Sequence, residues 1–317
     1  MRKALVVGID FYAHVNSLKG CVNDAYAVKQ ILERHGDGTK NFDVELITAT
    51  DESNAVTKDF LLKEVKELFE DVVDIALFYY SGHGYIQNDF GYINPSDTRT
   101  GEDGFSMEEL LDIVNNSKAK NKIVILDSCY SGQFGNSPNL GNKAVLTEGT
   151  TILTASSSAQ PALEKNGHGV FTNLFIDALN GSACNLLGQI TPGSVYAHID
   201  QSLGAWNQRP IFKTNVRSFV SIRNVVPPIA LEDLKRITDI FPKKGEDFKL
   251  DPSFEPTEKE NNKEHTERFA ILQKYNRLNL VVPVGAPHMY YAAIESKACK
   301  LTILGEHYWD LVNNDRI

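Results

Sequence analysis

Residues 75–84 read IALFYYSGHG, and residues 122–132 read KIVILDSCYSG. Each is an apolar run that stops abruptly at a short polar loop bounded by glycine. A run with no polar alternation reads as a strand covered on both faces, the habit of a parallel sheet under helices. One loop carries His83 and the other Cys129, and the gap between them reads as one helix. A right-handed strand–helix–strand crossover places two such strands side by side or one apart. In an open parallel sheet, ligands bind beyond the carboxyl ends of the strands. The two loops are therefore expected to meet at one crevice.

Working outward, residues 4–8 and 43–49 read as further strands, 150–156 as another, and RPIFKTN at 209–215 as a late strand near the sheet edge, because Pro210 fits only at its margin. Helices are predicted over 23–36, ended by Gly36, over 57–71, over 170–181, closed by Gly181, and over 193–204. Ser106 with Glu109 three residues on has the form of a capping box opening one more helix. This alternation predicts a doubly wound α/β sheet with helices on both faces.

The chain has 317 residues, 42% hydrophobic and 23% charged, the balance of a globular protein. Its net charge of −9 argues against non-specific binding to nucleic acid or an anionic membrane. No apolar run approaches the roughly 18 residues of a membrane span, and ALVVGI near the N-terminus reads as a buried strand rather than a signal core. The four cysteines, Cys21, Cys129, Cys184 and Cys299, are scattered without a CxxC pair. That pattern predicts neither a zinc site nor a disulfide framework and makes a reducing cytoplasm the expected compartment.

A cysteine attacks as its thiolate, and a neighbouring imidazole can take its proton and return it to a leaving amine. The backbone N–H groups of Gly84 and Cys129 are candidate donors to the oxyanion of a tetrahedral intermediate. A lone strand-end cysteine is more often packing. The paired placement of Cys129 and His83, each on its own loop, favours chemistry.

YYSGHG followed by DSCYSG resembles the caspase-like cysteine protease clan, and within it the metacaspase branch. LKGCVNDAYAV at 18–28 is similar to that family's first loop and helix, and GHGVFTNLFIDALNGSA at 167–183 to the start of its second half. The resemblance implies a caspase-like three-layer α/β/α sandwich with a mostly parallel sheet over residues 1–224. It implies Cys129 as nucleophile and His83 as its acid/base partner. Asp24 and Asp127 would line the pocket for the residue before the cut, with Cys21, Ser81 and Ser156 nearby. Two carboxylates there select arginine or lysine; a structural role for Asp24 as a helix cap is the alternative. Lys143 is the candidate for self-cleavage. No cofactor is required for the chemistry; calcium, which many metacaspases need, has weak candidate ligands in Asp89 and Asp97, with Glu102 and Asp103 beyond them.

After Pro227 and Pro228 the composition changes. Residues 225–267 read as a charged linker, with a helix opening at Thr257 and Glu260 as a second capping box. Residues 268–317 read as three short helices, a small module similar to the end of a winged helix. Six basic against four acidic residues there do not suggest nucleic-acid binding. The expectation is a regulatory or ligand-sensing module, with His288, Tyr290, Tyr291 and Trp309 as candidate contacts to a nucleotide-type activator or a partner protein. The function expected is a cysteine endopeptidase acting on protein or peptide substrates, signal-activated, in a prokaryotic antiviral defence or stress pathway. The alternative is a catalytically silent scaffold that binds a partner or ligand.

Overall fold

A computed structural model describes residues 1–317 except 89, 129–130, 132–133, 135–144, 156–163, 166–167, 205–208 and 260, and describes Glu164 and Lys165 by backbone alone. The described chain divides into two units, Met1–Val226 and Pro227–Ile317.

In the first unit the apolar runs pair directly. β1 (Arg2–Ile9), β2 (Asp43–Ala49), β3 (Ile75–Ser81), β7 (Asn121–Asp127), β8 (Thr150–Thr154) and β12 (Ile211–Asn215) form one sheet in the order β12-β8-β7-β3-β1-β2. Five strands are parallel, and β12 closes the edge antiparallel to β8. Every residue of β3 is buried. Alternate side chains divide the core between the two faces, as strand geometry requires. Phe78, Tyr80, Val124 and Leu126 pack with Leu61, Val65 and Leu110 on one side. Leu77, Tyr79, Ile123 and Ile125 pack with Val28, Phe171, Phe175 and Val195 on the other. The covering helices are α2 (Lys58–Glu70) and α3 (Met107–Asn115) on the first face. On the second they are α1 (Cys21–Glu33), α4 (Val170–Asp177) and α5 (Pro192–Ser202). The three-layer sandwich is as expected. Gly8 lets α1 lie this close: a Cβ there would meet the Cys21 carbonyl oxygen at 2.3 Å.

From β1 the chain winds to β2 on one side, then crosses to β3, β7 and β8 on the other. The winding direction thus reverses between β1 and β3, so the crevice of this sheet opens beyond their carboxyl ends. β3 and β7 are direct neighbours, with Ser81 paired to Asp127. His83 and Cys129 each follow two residues after a member of that pair.

Several local expectations differ. Ser106 caps α3 through the Glu108 N–H at 3.2 Å rather than in a box with Glu109. The helix from 170 gives way at Asp177 to a wider turn, Ala178–Ser182, where Gly181 has φ 131°. α1 ends at Glu33, and the Gly36 N–H donates instead to Asn224. The strand over 150–156 ends at Thr154. Between β3 and α3 the chain also builds a three-stranded sheet, β4 (Gly84–Gln87), β5 (Phe90–Ile93) and β6 (Phe105–Ser106). Its first connection holds Asn88 at φ 51°, a left-handed position that asparagine tolerates.

The second unit departs most from expectation. Residues 225–267, read as linker, contribute α6 (Leu231–Lys235), α7 (Ile237–Ile240) and β14 (Phe248–Lys249), and bury Leu234, Ile237, Ile240, Phe241, Leu250 and Phe254. Thr257 opens no helix. Helix α8 (Lys263–Arg277) starts later, capped by the Asn262 side chain, and Glu260 lies outside the described residues. α9 (Met289–Ile294) and α10 (Ile303–Asn313) complete the three expected helices. They are joined by an antiparallel sheet in which β16 (Ala298–Leu301) lies between β14 and β15 (Val281–Val284).

Candidate active site

The loop after β3 is fixed by two buried tyrosines. The Tyr12 hydroxyl accepts the His83 N–H at 2.7 Å, and the Tyr80 hydroxyl lies 2.8 Å from the Asn94 carbonyl and 3.0 Å from that of His83. Burial, more than the neighbouring Tyr80 and Cys21, pushes the Tyr12 phenol well up, so it stays protonated. Gly82 is required here, since a Cβ would meet the Tyr80 hydroxyl at 2.5 Å and that of Tyr12 at 2.7 Å.

The His83 ring lies 4.6 Å from that of Tyr12, and its Nε2 is 2.7 Å from the Asn16 carbonyl oxygen. A carbonyl only accepts, so Nε2 carries the proton and Nδ1 holds the lone pair of the neutral ring. That is the form a general base needs. At Gly84 the ladder to β5 is carried by the flanking residues, with Asn94 N–H donating to the His83 carbonyl. The Gly84 N–H therefore faces away from β5.

A second constellation stands beside this loop. α1 is capped by Asp10, whose Oδ1 accepts the N–H of Cys21 at 2.9 Å and of Val22 at 3.4 Å. Burial raises the Asp10 carboxyl, opposed by those two donors. The capping role offered to Asp24 is thus filled by another residue. The Asp24 side chain, 2% exposed, points instead to β10 (His168–Gly169), which follows β9 (Glu164–Lys165). Its Oδ1 is 2.8 Å from His168 Nδ1; its Oδ2 accepts the Gly169 N–H at 2.9 Å and the Ser81 hydroxyl at 3.5 Å.

Asp127, 5% exposed at the end of β7, accepts the Thr172 hydroxyl at 2.7 Å. Thr172 has one hydroxyl proton and gives it to Asp127, so the Tyr79 hydroxyl, 2.5 Å away, must donate to Thr172. Burial, then the charges of Asp127 and Asp24, pushes the Tyr79 phenol well up and keeps that proton in place. The two carboxylates converge. A Cβ on Gly169 would stand 2.2 Å from Asp127 Oδ2 and 3.1 Å from Asp24 Oδ2.

Of the residues singled out from sequence, Asp24, Asp127 and Ser81 are thus brought together. Cys21 is buried at the head of the same helix. Cys129, Ser156, Lys143 and Asp89 lie outside the described residues. Asp97 is exposed and accepts the Lys58 N–H at the start of α2. Asp103 accepts the N–H groups of Arg99 and Thr100 within its own turn. Among the described residues no cluster of three His, Cys, Asp or Glu side chains has a metal-binding arrangement. His168, Gly169, Thr172 and Tyr79 were not singled out. In the second unit, Tyr290 and Tyr291 are half exposed and touch edge to face at 5.3 Å, with His288 6.3 Å from Tyr291. Trp309 is engaged elsewhere, donating to the Phe241 carbonyl at 2.6 Å beneath Lys244.

The family model for the caspase domain matches residues 1–220. The chain belongs to the caspase family. It is 29% identical over 207 residues to metacaspase-1 of Schizosaccharomyces pombe, covering 59% of this chain and 49% of that protein. It is 30% identical over 148 residues to metacaspase-6 of Arabidopsis thaliana, covering 41% and 38%. The metacaspase-like reading of the motifs therefore stands, although the chain spans about half the length of the metacaspases it matches. Among solved structures, caspase-1 from Spodoptera frugiperda superposes with a TM-score of 0.51 at 12% identity, covering 71% of this chain and 90% of that one. Protein GSU0716 from Geobacter sulfurreducens superposes with a TM-score of 0.53 at 17% identity, covering 71% and 100%. At these identities both likenesses are of fold alone. Among the described residues no helix is long and apolar enough to cross a membrane.

Proposed function

We propose that this caspase-family chain is a cysteine endopeptidase that cuts after arginine or lysine with a Cys129–His83 dyad. The observation that carries the specificity is the convergence of the Asp24 and Asp127 carboxylates beside the His83 loop. A guanidinium or ammonium ion supplies the charge-assisted donors such a pair accepts, whereas an acidic side chain would be repelled.

In the reaction, His83 Nδ1 takes the thiol proton and the Cys129 sulfur adds to the scissile carbonyl carbon. The resulting oxyanion is received by the N–H groups of Gly84 and Cys129. The imidazolium returns its proton to the departing amine as the C–N bond breaks. Water, deprotonated by the same imidazole, then cleaves the thioester to a carboxylic acid and the free thiol. Asn16 and Tyr12 support this role by orienting the ring and its backbone. In this reading the chemistry uses protein groups alone and requires no cofactor.

A panel of fluorogenic peptides varied at the residue before the cut, with Cys129→Ala as control, tests the reading. The expected result is turnover confined to Arg and Lys peptides and abolished in the control. No turnover of any basic peptide, with or without calcium and cell extract, would replace it with the catalytically silent scaffold.

We place the enzyme in the cytoplasm as an effector of a prokaryotic defence or stress pathway, with the 227–317 unit answering a nucleotide-type ligand or a partner protein. The reducing compartment suits a thiolate nucleophile. The half-exposed Tyr290 and Tyr291 are the surface such a signal would meet.

A further inference from the structure

The two carboxylates do not face open solvent: the chain's own His168–Gly169 segment lies against both. Two nearly dry carboxylates converging without a cation would repel each other and be costly. His168 stands against one of them, its Nδ1 2.8 Å from Asp24 Oδ1. The glycine that follows is the only residue type that fits, because any Cβ would strike Asp127. The occupant is also held lightly. The His168 side chain is 36% exposed while that of Asp24 is 2% exposed, so the imidazole caps the carboxylate from the solvent side. Among the described residues its strand pairs with β9 through two residues.

We infer that His168 is a resident occupant of the specificity pocket, and that a substrate's basic side chain binds by displacing its imidazole from Asp24. The inference rests on the reading of Asp24 and Asp127 as the pocket for that side chain. Binding is then an exchange of one donor to Asp24 for another, while Gly169 N–H and Ser81 keep Oδ2 satisfied. The exchange makes His168 a specificity determinant. A ligand must compete for Asp24 with a charge or a strong donor, so short neutral side chains that cannot reach Asp24 leave the pocket closed.

The test uses the full chain with agmatine as a guanidinium probe, titrated by calorimetry, alongside peptide kinetics. His168→Ala is expected to bind agmatine about tenfold more tightly, the equivalent of one displaced hydrogen bond to a carboxylate. KM for an Arg peptide should fall by a similar factor with kcat within about twofold. His168→Gln, which can still donate to Asp24, should fall between. In the wild type, imidazole nitrogen NMR should show the His168 Nδ1 resonance moving as agmatine saturates, a readout that needs no variant to fold. An unmoved resonance at saturation, absent agmatine binding, or unchanged affinity in both variants overturns the inference. If agmatine displaces His168 but no basic peptide is cut, the occupied pocket stands and the peptidase reading falls. If basic peptides are cut and His168 never moves, the reverse holds.

Discussion

Carboxylates gather at two places in the first unit, and they behave differently. Near the start of the parallel sheet, Glu45, Glu64, Glu67, Glu70 and Asp71 line a cleft of about 490 Å³ between β2 and α2. At the other end, Asp24 and Asp127 converge. The larger cluster holds itself together with lysines: Lys63 bridges Glu64 and Glu67, and Lys3 pairs with Asp71. Burial, then the charge of Glu64, raises the Glu45 carboxyl, a sign of mutual repulsion. Asp24 and Asp127 instead receive donors built into the fold, namely Ser81, His168, Gly169 N–H and Thr172. A count of acids does not make a site. Buried acids with preorganised donors do, because the surrounding dipoles are oriented before any ligand arrives.

The sharpest way to break this comparison is to remove one charge from each place. Asp127→Asn is expected to lower kcat/KM on Arg and Lys peptides by about 100-fold, the worth of one charge-assisted contact in a dry site. A Glu67→Gln change in the other cluster should leave the same parameter unaltered. Peptide kinetics on both variants decide the matter, and equal effects would erase the distinction.

Gly169→Ala probes whether the pocket is as tightly built as its contacts imply. A methyl group 2.2 Å from Asp127 Oδ2 forces the segment or the carboxylate to shift. The expected cost is about 1–3 kcal/mol, seen as a lowered midpoint in chemical denaturation. Tyr79→Phe is the gentler version: it keeps the ring and removes the proton donated to Thr172. A loss of about 1 kcal/mol is expected, with a raised KM for basic peptides as Thr172 loosens its hold on Asp127.

How much of this could be read from the chain itself depends on range. The parallel strands announce themselves as unbroken apolar runs, and the His83 and Cys129 loops by their glycines and their position at strand ends. The donors around Asp24 and Asp127 do not. Thr172 lies 45 residues from Asp127, and His168 lies 144 from Asp24; no spacing rule connects them. His168 and Gly169 lie within GHGVFTNLF, yet nothing local in that stretch says that a histidine turns back to α1. The small sheet of β4 to β6 and the strands of the second unit escape for another reason. Runs of two to four residues are too short for a period to show, and only Asn88 at its left-handed turn marks the first hairpin.

The smallest effect belongs to the solvated cluster, and its sign separates the two places. Glu45 has a carboxyl raised above its ordinary value in the folded protein. Between the unfolded and folded pKa the native state therefore binds more protons, and stability falls as pH rises through that window. Above it, the ionised Glu45 is a constant handicap. Glu45→Gln should remove this dependence and stabilise the protein at neutral pH, by no more than about 0.5 kcal/mol given its exposure and screening. Denaturation midpoints across pH 4 to 8 would show a flatter profile than the wild type. A steeper profile, or a loss at neutral pH, would mean that Glu45 is held by donors as Asp24 is, and that the two clusters are built alike.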